Sequence, residues 1–96
     1  MTSKKEFVLD GQNMNTLDEF YDEVQRVLCP LFKGFGRNWD AFNDILRGGF
    51  GTFEYGEEII LKFKHKNFVK KHLGENFVNT VTEIIGDNKN VELVWL

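Results

Sequence analysis

The stretch Glu58-Ile59-Ile60-Leu61-Lys62-Phe63-Lys64 decides the fold. Its first half is mostly apolar, the pattern of a strand buried on both faces, and this predicts the central strand of a sheet. Two further strands are expected outward from it, at Glu6-Phe7-Val8-Leu9 and at Val91-Glu92-Leu93-Val94-Trp95-Leu96. Asp10-Gly11 closes the first as a turn in which glycine takes a positive φ without steric cost. Helical patterns fill the intervals. Thr16 predicts an N-cap with Glu19 as its capping-box partner, and Leu17, Phe20, Tyr21, Val24, Val27 and Leu28 form one apolar face. Cys29-Pro30 ends that helix, because the residue before a proline is pushed out of the α region. Residues 31–37, with Gly34 and Gly36, form a loop. Asn38 caps a second helix carrying Trp39, Phe42, Ile45 and Leu46 on one side, and Gly48-Gly49 terminates it. Residues 67–73 predict a short third helix, and Gly74 separates it from a fourth bearing Phe77, Val81, Ile84 and Ile85. Strands separated by helices predict a parallel sheet with right-handed crossovers. The expected fold is α/β, a small three-stranded parallel sheet packed against about four helices, in a single domain over residues 1–96.

Composition narrows the function classes. With 96 residues, 42% of them hydrophobic and ten of them phenylalanine, the chain has the make-up of an ordered globule. The lone Cys29 forms no internal disulfide, and no apolar run approaches the roughly 18 residues of a membrane span. Met1 to Glu6 lacks the apolar segment of a secretory signal, so a reducing cytoplasm is the expected compartment and no membrane partner is expected. A formal charge of -3 argues against a general nucleic-acid binder. The charge is also unevenly spread. Between Asn38 and Glu58 lie Asp40, Asp44, Glu54, Glu57 and Glu58 against Arg47 alone, whereas Leu61 to His72 holds five lysines, two histidines and no acid. An acidic face and a basic face follow.

The second helix carries the chemistry. At 100° per residue, Asp40, Asn43, Asp44 and Arg47 fall opposite the apolar side. Asp40, in the first turn, is stabilised by the helix dipole. Asp44 gains less there and repels Asp40 across the i, i+4 spacing, so stability does not ask for it. Two readings stay open on the residues alone: a solvated surface, or a cation-binding surface with Glu54, Glu57 and Glu58 nearby that offers carboxylates to arginine or lysine.

Catalysis finds no support. Asp40, Asp44, His65 and His72 are residue types that bind metals or move protons, but the histidines lie without ligand spacing in a lysine-rich stretch and read as solvated surface. Gly48-Gly49-Phe50-Gly51 follows a helix, whereas a phosphate-binding loop precedes one. No catalytic residue, metal or cofactor is expected. A nucleic-acid-binding module built on Lys62, Lys64, Lys66, Lys70 and Lys71 with Phe63 and Phe68 is the alternative. Against it, Lys62 and Lys64 alternate with Leu61 and Phe63 as in a strand running out to solvent, and Phe68 can pack into the core. Cys29 reads as a structural thiol, and Trp39 and Trp95 as core.

The run Phe35-Gly36-Arg37-Asn38-Trp39-Asp40-Ala41-Phe42-Asn43-Asp44-Ile45-Leu46, followed by Gly48, resembles the second-helix motif of the barstar family of ribonuclease inhibitors. The resemblance extends along the chain, from the opening strand with its Asp-Gly turn to the final apolar strand. It implies a barstar-like fold and a non-enzymatic inhibitor, a monomer binding one basic ribonuclease or related toxin nuclease and making no direct nucleic-acid contact. It places Asp44 where the substrate phosphate would lie in the enzyme's active site and turns Asp40 toward the enzyme. Asn38 and Gly36 would shape the helix entry, Phe35 matches an aromatic position of the binding loop, and Gly48 bounds the motif. Glu83 falls where the family can carry a further acidic contact. The chain also departs from the pattern: Gly34 stands at an aromatic binding position, Asn43 at a tryptophan and Arg47 at a small hydroxyl residue. A positive charge at Arg47 disfavours a uniformly basic target. The resemblance thus leaves room for an immunity protein to a different toxin nuclease.

Overall fold

A computed structural model describes residues 4–96. Strands β1 (Lys5–Asp10), β2 (Ile59–Lys64) and β3 (Val91–Trp95) form one sheet in the order β1-β2-β3, with both pairings parallel. Helices α1 (Leu17–Leu28), α2 (Trp39–Leu46), α3 (Lys66–Leu73) and α4 (Glu75–Gly86) fill the connections, and a short 3-10 turn over Gly11–Asn13 follows β1. The central place of β2 is as the sequence predicts. Burial on both faces is not: Ile59, Leu61 and Phe63 are buried, whereas Ile60 and Lys62 are half-buried and Lys64 is exposed. One face of the sheet packs on the core. The other meets solvent and is dressed by cross-strand charge, Lys62 reaching Glu6 at 3.1 Å.

The local signals explain most element boundaries. Thr16 accepts the Glu19 N–H at 3.2 Å, and the Glu19 carboxylate accepts from the Asn15 N–H at 3.1 Å, so the box closes one residue earlier than the simplest form. Gly11 corrects the sequence reading. Its φ is not positive; it is buried, and a Cβ there would lie 2.4 Å from both the Lys64 carbonyl oxygen and Val69 Cγ2. Glycine is needed for close approach, not for backbone freedom. The positive φ belongs instead to His65, at 62°, in the turn from β2 into α3.

Phe20 lies at the centre of the core, fully buried, with ring centroids of Tyr21, Trp39, Phe42 and Phe77 at 4.9–5.9 Å. These rings come from α1, α2 and α4, so one aromatic cluster fixes the three helices against each other. Each fully buried ring of this kind contributes about 1.5–3 kcal/mol. Cys29 is buried, and burial pushes its thiol pKa up, as a structural role requires. Glu23, the one buried carboxylate among the described residues, is fully engaged. It takes the Arg26 guanidinium at 2.8 and 3.0 Å, the Asp10 N–H at 2.8 Å and the Asn13 amide at 3.4 Å, tying α1 to the end of β1.

Candidate protein-binding surface on the second helix

α2 is short, and each of its two sides has one use. Asn38 caps it, its side-chain oxygen accepting the Ala41 N–H at 2.8 Å. Phe42, Ile45 and Leu46 are buried and anchor the helix, while Trp39 is half-buried between Tyr21 and Phe77. Asp40 and Asp44 are exposed. Asp40 has no ion-pair partner among the described residues, and Asp44 faces only Arg47, at 3.9 Å.

The loop entering α2 is held from below. Phe35 is half-buried with its ring edge-on to Tyr21 at 5.9 Å, and Phe32 packs on Phe50 at 4.9 Å. Arg37 donates to the Asp18 carbonyl at 2.9 Å and pairs with Asp22, which binds the loop to α1. Gly36 is half-buried and accepts the Asn38 N–H at 3.0 Å, setting the entry to the cap. A hollow of about 200 Å³ opens between this loop and α2, lined by Phe32, Phe35, Phe50 and Ile45 with Asp44 at its edge. The exposed Gly34 contributes no side chain to it.

At the other end, Gly48 is buried with φ of 91°, and a Cβ there would sit 2.3 Å from the Glu54 carbonyl oxygen. It turns the chain rather than offering a contact atom. Asn43 is half-buried, its side-chain oxygen accepting from the Asn88 amide at 2.8 Å, and Asn88 is itself buried. Around that bond lies a second hollow of about 450 Å³, lined by Trp39, Asp40, Asn43, Arg47, Asp87 and Asn88 among others. Glu83 is exposed on α4 one turn before Asp87 and does not line it. Asp87 is the acid that the sequence reading missed. A signal existed, because an acid at a helix C-terminus opposes the dipole and so gains nothing from that position.

Of the acids after α2, Glu57 is committed within the fold: the Glu54 N–H and the Lys5 ammonium hold its carboxyl below the usual range. His65 is not simply solvated. It is half-buried with Nδ1 2.9 Å from an Asp10 carboxylate oxygen. His72 is exposed and stacks on Phe68 at 4.0 Å; Phe68, expected in the core, is half-buried instead. Within the basic stretch, Phe63 is buried against Trp95 at 4.4 Å, out of reach of a nucleic-acid base. Among the described residues no three His, Cys, Asp or Glu side chains gather as a metal site would require, and no helix is long and apolar enough to cross a membrane.

The sequence pattern of the family described as Barstar (barnase inhibitor) matches residues 4–91. The chain belongs to the barstar family. No curated protein matches it by sequence. Membership of the barstar family implies the role of a barnase-type ribonuclease inhibitor or immunity protein, and a ribonuclease as the class of protein partner. Proteins of the barstar family are inhibitors rather than enzymes. The three departures noted in the sequence now have positions: Gly34 borders the first hollow, Asn43 is bound to Asn88 in the second, and Arg47 lines that second hollow while facing Asp44.

Proposed function

We propose that this chain, acting as one domain over residues 1–96, inhibits a ribonuclease by covering its active site with α2 and the adjoining loop. Asp44 takes the place of an RNA phosphate and Asp40 assists; exclusion of RNA is the whole mechanism. One observation carries the reading. The fold buries Phe42, Ile45 and Leu46 on the apolar side of α2, which anchors the helix, and leaves Asp40 and Asp44 exposed together on the other. A preorganised carboxylate pair loses little freedom on binding and accepts charge-assisted hydrogen bonds from arginine or lysine. Phe35, Gly36 and Asn38 then shape the loop edge of the contact, Asn43 and Arg47 border its far side, Gly48 holds the turn behind it, and Glu83 with Asp87 extends the acidic field along α4. One inhibitor monomer occupies one enzyme, in the cytoplasm of the producing cell.

A second reading, immunity to a different toxin nuclease, has its own observation in its favour. Arg47 puts a cation beside Asp44 and along the hollow that contains Asp40 and Asp87. A target matched to it carries an acid of its own among its basic residues, since like charge at that point works against binding.

The test uses a panel of barnase-type ribonucleases, barnase included, and measures inhibition of RNA cleavage. Asp44→Ala should weaken binding to the most strongly inhibited enzyme by at least ~2 kcal/mol, roughly thirty-fold, with the fold intact. A variant inhibiting as tightly as the parent, or a panel that the parent leaves uninhibited, would sink the proposal.

A further inference from the structure

Tyr55 is 77% exposed, yet it sits on a loop that is hydrogen-bonded both to itself and to the end of α2. The segment between α2 and β2 doubles back on the end of α2: the Gly49 N–H donates to the Phe53 carbonyl at 2.9 Å and the Gly56 N–H to the Arg47 carbonyl at 2.7 Å. Within it, the Glu57 N–H bonds the Glu54 carbonyl at 3.0 Å, and the Glu57 carboxylate returns the contact to the Glu54 N–H at 2.8 Å. Phe53 plugs the base of the loop into the core, buried and 5.4 Å from Phe7. The close pass of Gly48 against Glu54 fixes the path between them. Everything around Tyr55 is therefore held, and the ring itself is left in water. Its Cβ lies 3.8 Å from where a side chain on Gly49 would begin, so the absence of one there leaves room beside the ring.

From this geometry we infer that Tyr55 is an aromatic anchor of the inhibitory surface, receiving an arginine or lysine of the nuclease outside its active-site cleft. The inference rests on the proposed inhibition and extends its surface beyond α2. Rigid tyrosines offer large contact area at low entropic cost, which is why they recur among the residues that dominate interfaces. The surroundings choose the occupant. Glu54 and Glu58 are exposed neighbours without an ion-pair partner among the described residues, and a cation over the ring face gains from the ring and from these carboxylates together. The loop is bonded to Arg47, the residue that follows the acidic helix and pairs with Asp44, so a partner seated on Asp44 lies on the side of the molecule that carries the loop.

The experiment compares dissociation rates of Tyr55→Ala, Tyr55→Phe, Asp44→Ala and the parent from the most strongly inhibited member of the same ribonuclease panel. Thermal melting of each variant serves as the fold control. Tyr55→Ala should dissociate at least tenfold faster and Tyr55→Phe within about twofold of the parent, with unchanged melting because the ring is exposed. Parent-like dissociation of Tyr55→Ala alongside a weakened Asp44→Ala overturns this inference and leaves the inhibitory reading standing. If Asp44→Ala is also unaffected, or no enzyme is inhibited, both fall. A Tyr55→Phe variant as weak as Tyr55→Ala likewise overturns an anchor that works through the ring.

Discussion

The Asn88 side-chain amide donates to the Asn43 side-chain oxygen at 2.8 Å, and also to the Ile84 carbonyl at 2.9 Å, joining α2 to the end of α4. The link stands in the part-buried seam between the two helices, beneath the surface proposed to meet the nuclease. It fixes where α2 lies relative to Asp87.

Asn88→Ala should therefore lower stability by about 1–3 kcal/mol, since the Asn43 oxygen and the Ile84 carbonyl both lose a donor where water enters poorly. Urea denaturation at neutral pH reads the change. An undiminished midpoint would show that the seam contributes nothing.

Acid should weaken the fold through Glu23. Burial works to raise its pKa, but the Arg26 guanidinium, the Asp10 N–H and the Asn13 amide outweigh burial and hold it below the ordinary 4.5. A carboxyl depressed in the folded state binds fewer protons there than in the unfolded chain. Its stabilisation is thus fully present above that ordinary value and drains away as pH falls from it through the lower folded one. Asp10, held below 3.8 chiefly by the Gln12 N–H, with His65 adding to the effect, acts in the same direction. Unfolding midpoints followed from neutral pH downward should decline below about pH 5, and Glu23→Gln should lose much of that slope. An equally steep decline in the variant would place the effect elsewhere.

Gly11→Ala should cost about 1–3 kcal/mol, because the added methyl meets the Lys64 carbonyl and Val69 at 2.4 Å and one of them is backbone. Gly51→Ala is the contrast: nothing lies within 4 Å of its Cβ, and the cost there is conformational alone, from a φ of 107°. Thermal melting of the two variants separates steric from backbone strain. A Gly11 variant that melts with the parent would refute the close approach.

Arg47→Ser should raise the association rate with a uniformly basic ribonuclease several-fold at low salt, since it removes a cation from beside Asp44. The gain should fade as salt shortens the screening length to about 10 Å at 0.1 M and below that at higher salt. Stopped-flow association at two ionic strengths measures it. A slower Arg47→Ser variant would instead reveal an acid on the nuclease that Arg47 meets, the signature of the second reading.

How much of this could be read in the sequence depends on the range of the interaction. The capping of α1 and α2 by Thr16 and Asn38, the stop at Cys29-Pro30 and the outward placing of Asp40 and Asp44 rest on residues within one or two turns of each other, and period alone exposes them. The central place of β2 was read from its apolar first half, although the burial on both faces which that pattern suggested is not found. The barstar-family motif spans only one helix and its approach, so it too was legible as a string.

What the string left undetermined involves partners far apart in the chain. Gly11 reads as a flexible turn until Lys64 and Val69 arrive on top of it. Ile59-Ile60-Leu61 reads as doubly buried until the sheet is seen to carry charge pairs on its outer face. Asp87 joins Asp40 only because Asn88 reaches Asn43 across 45 residues, and Tyr55 becomes a fixed, exposed ring only because its loop closes onto Arg47. Periodicity determined which side of each element turns inward, since that follows from backbone geometry. Which inward sides meet, and which exposed groups are thereby brought to one surface, was decided by packing, where a single contact depends on the position of every element at once.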